Sequence, residues 1–195
     1  MCWSFEASIT TWIIGLCTSL YLLKRRNKND IVMGLLILAY SSMQLWEALM
    51  WYDQKCGNIN IIGTKLAYIA LWTHVLAIAI GLYFEYNKVI PIFIGIFFLI
   101  CAGILWPKKW NCSLKGENKH LVWGFDPTFY IYVFIMCIFL CLYYIKPFKI
   151  SMLISLLFIT SFLISYMYNN KYETTGSFWC WICAVFCLIF IKINQ

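Results

Sequence analysis

This sequence predicts an all-α polytopic membrane protein, a bundle of about seven transmembrane helices. Three observations predict it. Hydrophobic residues make up 63% of the 195 residues and charged residues 12%, whereas a soluble domain has roughly 45–50% apolar and about 25% charged residues. The apolar residues come in separate runs of roughly 17–24, each enough to cross about 30 Å of hydrocarbon. Aromatic residues reach 19%, and Trp and Tyr collect at the lipid–water boundary. Ile, Phe, Tyr, Lys and Asn are all frequent, so an AT-rich genome accounts for part of the apolar bias.

The first run covers residues 5–23 and stops at KRRNKND, residues 24–30, the densest basic cluster. Basic loops stay on the cytosolic side, so this loop is expected inside and the N-terminus outside. The opening MCWSFEAS has no basic leader region, and the first helix is expected to act as its own insertion signal. The second helix, 31–51, runs outward to an external link at 52–60. The third, 61–84, returns and carries His74 near its middle. Residues 85–88 form an internal turn. The fourth, 89–106, holds Pro91 in its first turn, where proline is tolerated, and Pro107 stops it.

The longest link, 107–127, is external and the only one with room for a lid. The fifth helix is expected at 128–145, the sixth at 150–168 and the seventh at 177–191, which leaves the C-terminus cytosolic. No link is long enough to fold alone, so residues 1–195 read as a single transmembrane domain. The net charge is +7. Its Lys and Arg residues lie in short links between apolar runs. They therefore point to orientation and lipid headgroups, not to nucleic acid.

Polar groups at membrane depth are costly and default to functional candidates. The stretch SSMQLWEALMWYDQ, residues 41–54, carries the best of them. Gln44, Glu47 and Trp51 are spaced i, i+3, i+7 and share one helix face. Glu47 lies about one turn inside the external end and Gln44 one turn deeper. Glu6 opens the first helix on the same side, and His74 lies deeper in the third. These residues can line one outward-facing cavity for a small polar solute, ion or proton. The plainer readings are that Glu47 snorkels to water, Gln44 is interhelical glue, and His74 is a satisfied structural residue.

Ten cysteines offer a second thread. Cys56 and Cys112 fall on the expected external side, where a disulfide between them would join two helix ends. Cys180 and Cys183 form C-W-I-C at the external end of the seventh helix, an arrangement found in membrane thiol oxidases. Cys137/Cys141 and Cys183/Cys187 show cysteine also serving as a small apolar residue. Asn111-Cys112-Ser113 matches the acceptor pattern for N-glycosylation.

Several classes are excluded. Two histidines, one in a loop, argue against an intramembrane zinc site, and no cofactor motif is present. No lysine sits midway along the seventh helix to hold retinal. The external tryptophans, Trp106, Trp110 and Trp123 among them, form an interfacial belt or roof a ligand site.

The opening Met1-Cys2-Trp3-Ser4 with Glu6 and Ser8, and the later Met43-Gln44-Leu45 leading to Glu47, resemble a family of small multi-helix membrane proteins of large DNA viruses and unicellular eukaryotes. The resemblance covers about the first third of the chain. It implies the membrane fold and carries over no activity. Three functional readings stand at this point: a transporter or channel-like protein centred on Glu47, a thiol–disulfide oxidoreductase using Cys180 and Cys183, and a non-catalytic scaffold or receptor-like protein. The expected partners are the bilayer and a small polar solute or ion.

Overall fold

The structure, a computed structural model, describes residues 4–126, 128–177, 189 and 191. Among these residues the chain is all-helical but for one short hairpin. The order is α1 (Phe5–Arg25), α2 (Asp30–Tyr52), α3 (Asn58–Tyr86), α4 (Ile90–Ile104), β1 (Leu114–Lys115), β2 (Leu121–Val122), α5 (Phe129–Tyr144) and α6 (Phe148–Asn169), then a 3-10 turn at Asn170–Tyr172. α1, α2, α3 and α6 are long and apolar enough to cross a membrane, while α4 and α5 are apolar but shorter.

Local chemistry sets the boundaries. Ser4 caps α1 by accepting the Ala7 N–H at 3.2 Å. α1 runs past the apolar stretch to Arg25 and ends where Arg26 turns left-handed at φ 55°. α4 opens with Pro91 in its first turn. It ends at Ile104, short of the expected 106, because Trp106 precedes Pro107 and is disfavoured in the helical region. α3 has 29 residues, about 43 Å at 1.5 Å per residue. It therefore outreaches a hydrocarbon core of about 30 Å. Its polar first turn, Asn58 to Asn60, lies outside the apolar run that starts at 61.

α2 and α3 form the centre, with α1 against α2 and α4 and α5 against α3. Buried Val32, Met33, Leu36 and Met43 of α2 meet Tyr68, Val75, Ile78 and Leu82 of α3. Close approach is needed where they cross, because a Cβ on Gly81 would sit 2.6 Å from the Cα of Val32. Phe93, Phe97, Ile100 and Ile104 of α4 face outward, the arrangement lipid favours.

The two ends of the bundle close differently. At one end the 107–127 link folds into the β1–β2 hairpin, antiparallel with Leu114 opposite Val122. The opposite end is a clasp. Asp30 is fully buried and takes both Nε and Nη2 of Arg25 at 2.7 Å. Asn29 donates its backbone N–H to Glu85 at 2.9 Å and its side-chain amide to the Lys146 carbonyl at 3.0 Å. Tyr86 donates its hydroxyl to the Asn29 side chain and accepts the Lys146 N–H.

Candidate functional site

Glu47 and Gln44 are both fully buried on α2. Their spacing of three residues turns both onto the packed face of the helix. The Gln44 amide donates to Glu47 Oε2 at 3.2 Å. Glu47 Oε1 accepts the indole N–H of Trp123 at 3.1 Å, across 76 residues of chain. A carboxylate in an apolar bundle thus receives a donor on each oxygen, from an amide and an indole. Trp51 is half-buried on the same face, and its indole nitrogen makes no hydrogen bond among the described residues.

Trp123 is delivered by the hairpin. It stacks on Phe125 with ring centroids 5.3 Å apart, and a Cβ on Gly176 would come within 2.6 Å of its ring. The hairpin is rooted on the protruding start of α3. The Asn60 amide donates to the Ser113 carbonyl at 2.8 Å, and the Asn60 Oδ1 accepts the Ser113 N–H at 2.9 Å. The Ser113 hydroxyl contacts the Thr64 hydroxyl at 2.9 Å and accepts the Gly124 N–H at 2.9 Å. Beside this knot Cys56 and Cys112 are joined in a disulfide with Cα atoms 5.5 Å apart.

Above the hairpin lies a cleft of about 790 Å³. Trp123, Phe125, Phe129 and Tyr130 give it an aromatic wall, and Lys109, Asp126 and Glu173 charge its rim. Trp123 therefore lines the cleft and also holds the buried carboxylate.

The other sequence candidates are dispersed. Glu6 is exposed in the first turn of α1. His74 is buried deeper in α3, where Nδ1 bonds the Leu71 carbonyl at 2.8 Å and the ring meets Tyr40 with centroids 4.3 Å apart. Among the described residues its Nε2 has no hydrogen-bond partner, so it forms no hydrogen-bonded pair with Glu47. Cys180 and Cys183 lie outside the described residues, as does the expected seventh helix, 177–191, apart from residues 177, 189 and 191, which are helical, as are residues 175 and 176. Cys137 and Cys141 are buried thiols. Among the described residues no three His, Cys, Asp or Glu side chains gather as a metal site.

Sequence reasoning treated Trp123 only as one of several external tryptophans and missed Asn60 and Ser113 as a pair. A signal existed. Asn60 follows Cys56 by four residues and Ser113 follows Cys112 by one, so pairing the cysteines brings these polar groups together.

An uncharacterized protein of Acanthamoeba polyphaga mimivirus is 25% identical over 162 residues, covering 65% of this chain. The chain spans 66% of the length of that curated relative. No family model matches, and no solved structure matches.

Proposed function

We propose that the chain is a seven-span integral membrane protein, N-terminus outside and C-terminus cytosolic, forming a single transmembrane domain. Its hairpin end would carry an outward-facing site for a small polar solute, ion or proton. The observation behind this reading is Glu47, a fully buried carboxylate reached from an open cleft through one side chain, Trp123. Glu47 is the charged determinant, Gln44 its polar partner and Trp123 the side chain that admits or excludes the solute. His74, deeper in α3, and Glu6, at the external mouth, are secondary contributors.

The topology has its own support. Thr175 lines the cleft at the hairpin end, while the Ile191 carbonyl accepts Nη1 of Arg25 at the clasp end, 3.0 Å away. Thr175 and Ile191 therefore lie at opposite ends of the bundle, which favours a seventh crossing. The Cys56–Cys112 disulfide favours an oxidising compartment at the hairpin end. The basic residues of the clasp end favour the cytosol there. The likeness to a mimivirus protein favours a viral setting.

The test is flux through proteoliposomes, read with a trapped pH-sensitive dye and with potassium release. Glu47→Gln is expected to lower the flux at least tenfold. Unchanged flux would sink the site. A second reading, a non-catalytic scaffold, draws on the same contact, because Glu47 also seats the hairpin. Under it Glu47→Gln lowers the melting temperature and no flux is found for the wild type. The oxidoreductase reading rests on Cys180 and Cys183. It is lost if both stay reduced and unreactive when intact membranes are labelled from the hairpin side.

A further inference from the structure

We infer that the clasp end is a binding face for the headgroups of anionic phospholipids in the adjoining leaflet. The sequence puts basic residues at three separate connections: Lys24, Arg26 and Lys28 in the last turn of α1 and just after it, Lys88 after α3, and Lys146 and Lys149 before and at the start of α6. All six are exposed. The expected topology puts the three connections on one side, and the fold brings them into contact. Asn29 is hydrogen-bonded to Glu85 on one side and to Lys146 on the other, and Tyr86 bonds both Asn29 and Lys146.

The two carboxylates of these connections offset the six cations only in part. Asp30 is buried and committed to Arg25 and to the Asn27 N–H. Glu85 accepts the Asn29 N–H, a neutral donor that leaves its charge in place. Six cations against this one carboxylate still leave the outer face net cationic around the Arg25–Asp30 pair. At the hairpin end, by contrast, Asp53, Glu117, Asp126 and Glu173 are interleaved with the lysines. A ring of this kind at the mouth of membrane-spanning helices lies at headgroup level, where anionic lipids concentrate. Multiple lysines on one face fit a phosphate-bearing headgroup better than a single carboxylate. The hydrogen bonds that gather the ring come from backbone groups of Lys146 and from Asn29, so the charged tips are free to move onto phosphates.

This inference rests on the membrane-spanning reading, which alkaline carbonate extraction checks separately. A chain that leaves the membrane in carbonate overturns that reading and this inference with it, whereas a chain that stays but binds no lipid overturns this inference alone. The lipid test uses the full chain in detergent with short-chain phosphatidylserine and phosphatidylinositol bisphosphate as probes, followed by native mass spectrometry and thermal shift. Saturable binding is expected, weakening as salt rises from 50 to 300 mM because exposed charges are screened. The variant Arg26→Gln/Lys28→Gln/Lys146→Gln should weaken it about tenfold or more, and should keep its fold because no side chain it changes forms the clasp. Lys108→Gln/Lys109→Gln/Lys119→Gln at the other end should leave binding unchanged. Equal losses in both variants mean diffuse attraction and overturn the proposal. So does binding that survives the first variant. If soluble inositol phosphate or inorganic phosphate binds as tightly as the lipid, the face is a free-anion site and the lipid assignment is wrong.

Discussion

At the hairpin end the helices are joined by one covalent bond and by hydrogen bonds. Cys56–Cys112, the Asn60–Ser113 exchange and the Trp123–Glu47 contact connect α2, α3 or the turn between them to the link that follows α4. At the clasp end the closure is ionic and reaches further along the chain. Arg25 and Asp30 form a bidentate pair, Asn29 reaches Lys146, and Arg25 reaches Ile191. The hairpin also reaches the end of α6, where the Asn118 amide donates to Asn169 and Thr174. Both ends therefore tie early helices to late ones, one through a disulfide and hydrogen bonds, the other through an ion pair.

The sharpest way to break the comparison is Asp30→Asn. Removing one member of a buried ion pair leaves the other charge uncompensated and costs about 3–5 kcal/mol. Asp30 is fully buried and Arg25 has only 12% of its side chain exposed. Thermal unfolding in detergent should show this as the largest loss of any single substitution at either end. A loss below that of the disulfide variants would mean that the clasp is not the main closure.

Cys56→Ser comes next. A disulfide closing 56 residues stabilises a random chain by roughly 4 kcal/mol through loop closure. Much of this loop is α3 and α4, which stay helical in lipid when tertiary contacts are lost, so about 2–3 kcal/mol is expected. Wild type under reductant and the variant should melt together. If reductant leaves the wild-type melting temperature unmoved, the staple contributes nothing.

Asn60→Ala is the third. It removes bonds to Met50, Asp53 and Ser113 and leaves the buried Ser113 N–H without its acceptor, at a cost of about 1–3 kcal/mol. Hydrogen exchange should quicken at Ser113 and Gly124 while Asn27 and Asp30 keep their protection. Equal quickening at both ends would show that the ends are one cooperative unit.

The smallest effect is one of pH. Burial in the hairpin, its main cause, holds the His120 imidazole below its usual range. The unfolded hairpin then takes up a proton at higher pH than the folded one. Stability of the hairpin end is thus complete above about pH 6.5 and declines as the pH falls below it, whereas His120→Gln should flatten that decline. Hydrogen exchange at Gly116 between pH 7.5 and 5 reads it, and an identical decline in the variant would remove His120 from the explanation.

The helices of the bundle were legible because each apolar run announces itself residue by residue. Expected and observed spans from α1 to α6 differ by at most three residues at either end. At α3 the difference falls on the polar Asn58 to Asn60, which hydropathy does not count, and at α4 on Leu105 and Trp106, just before Pro107. Gln44 and Glu47 were legible as a shared face because the helix period fixes it. The hairpin was not. Its strands are two residues each, too short for an alternating pattern, and the left-handed position of its turn, φ 66°, falls on Lys119 and not on Gly116 or Asn118 beside it. The Trp123 contact with Glu47 had no local signal at all.

The sequence by itself determined that the chain is helical and has segments able to cross a membrane, because transfer into hydrocarbon is a sum over neighbouring residues. It also determined which polar side chains stand within those segments. Only the tertiary structure decided what those side chains meet: Trp123 for Glu47, Ser113 for Asn60, Lys146 for Asn29. A hydrogen bond requires its partners within about 3 Å. Which distant groups reach that separation depends on how helices pack and where links fold back, and no local stretch of sequence carries that geometry.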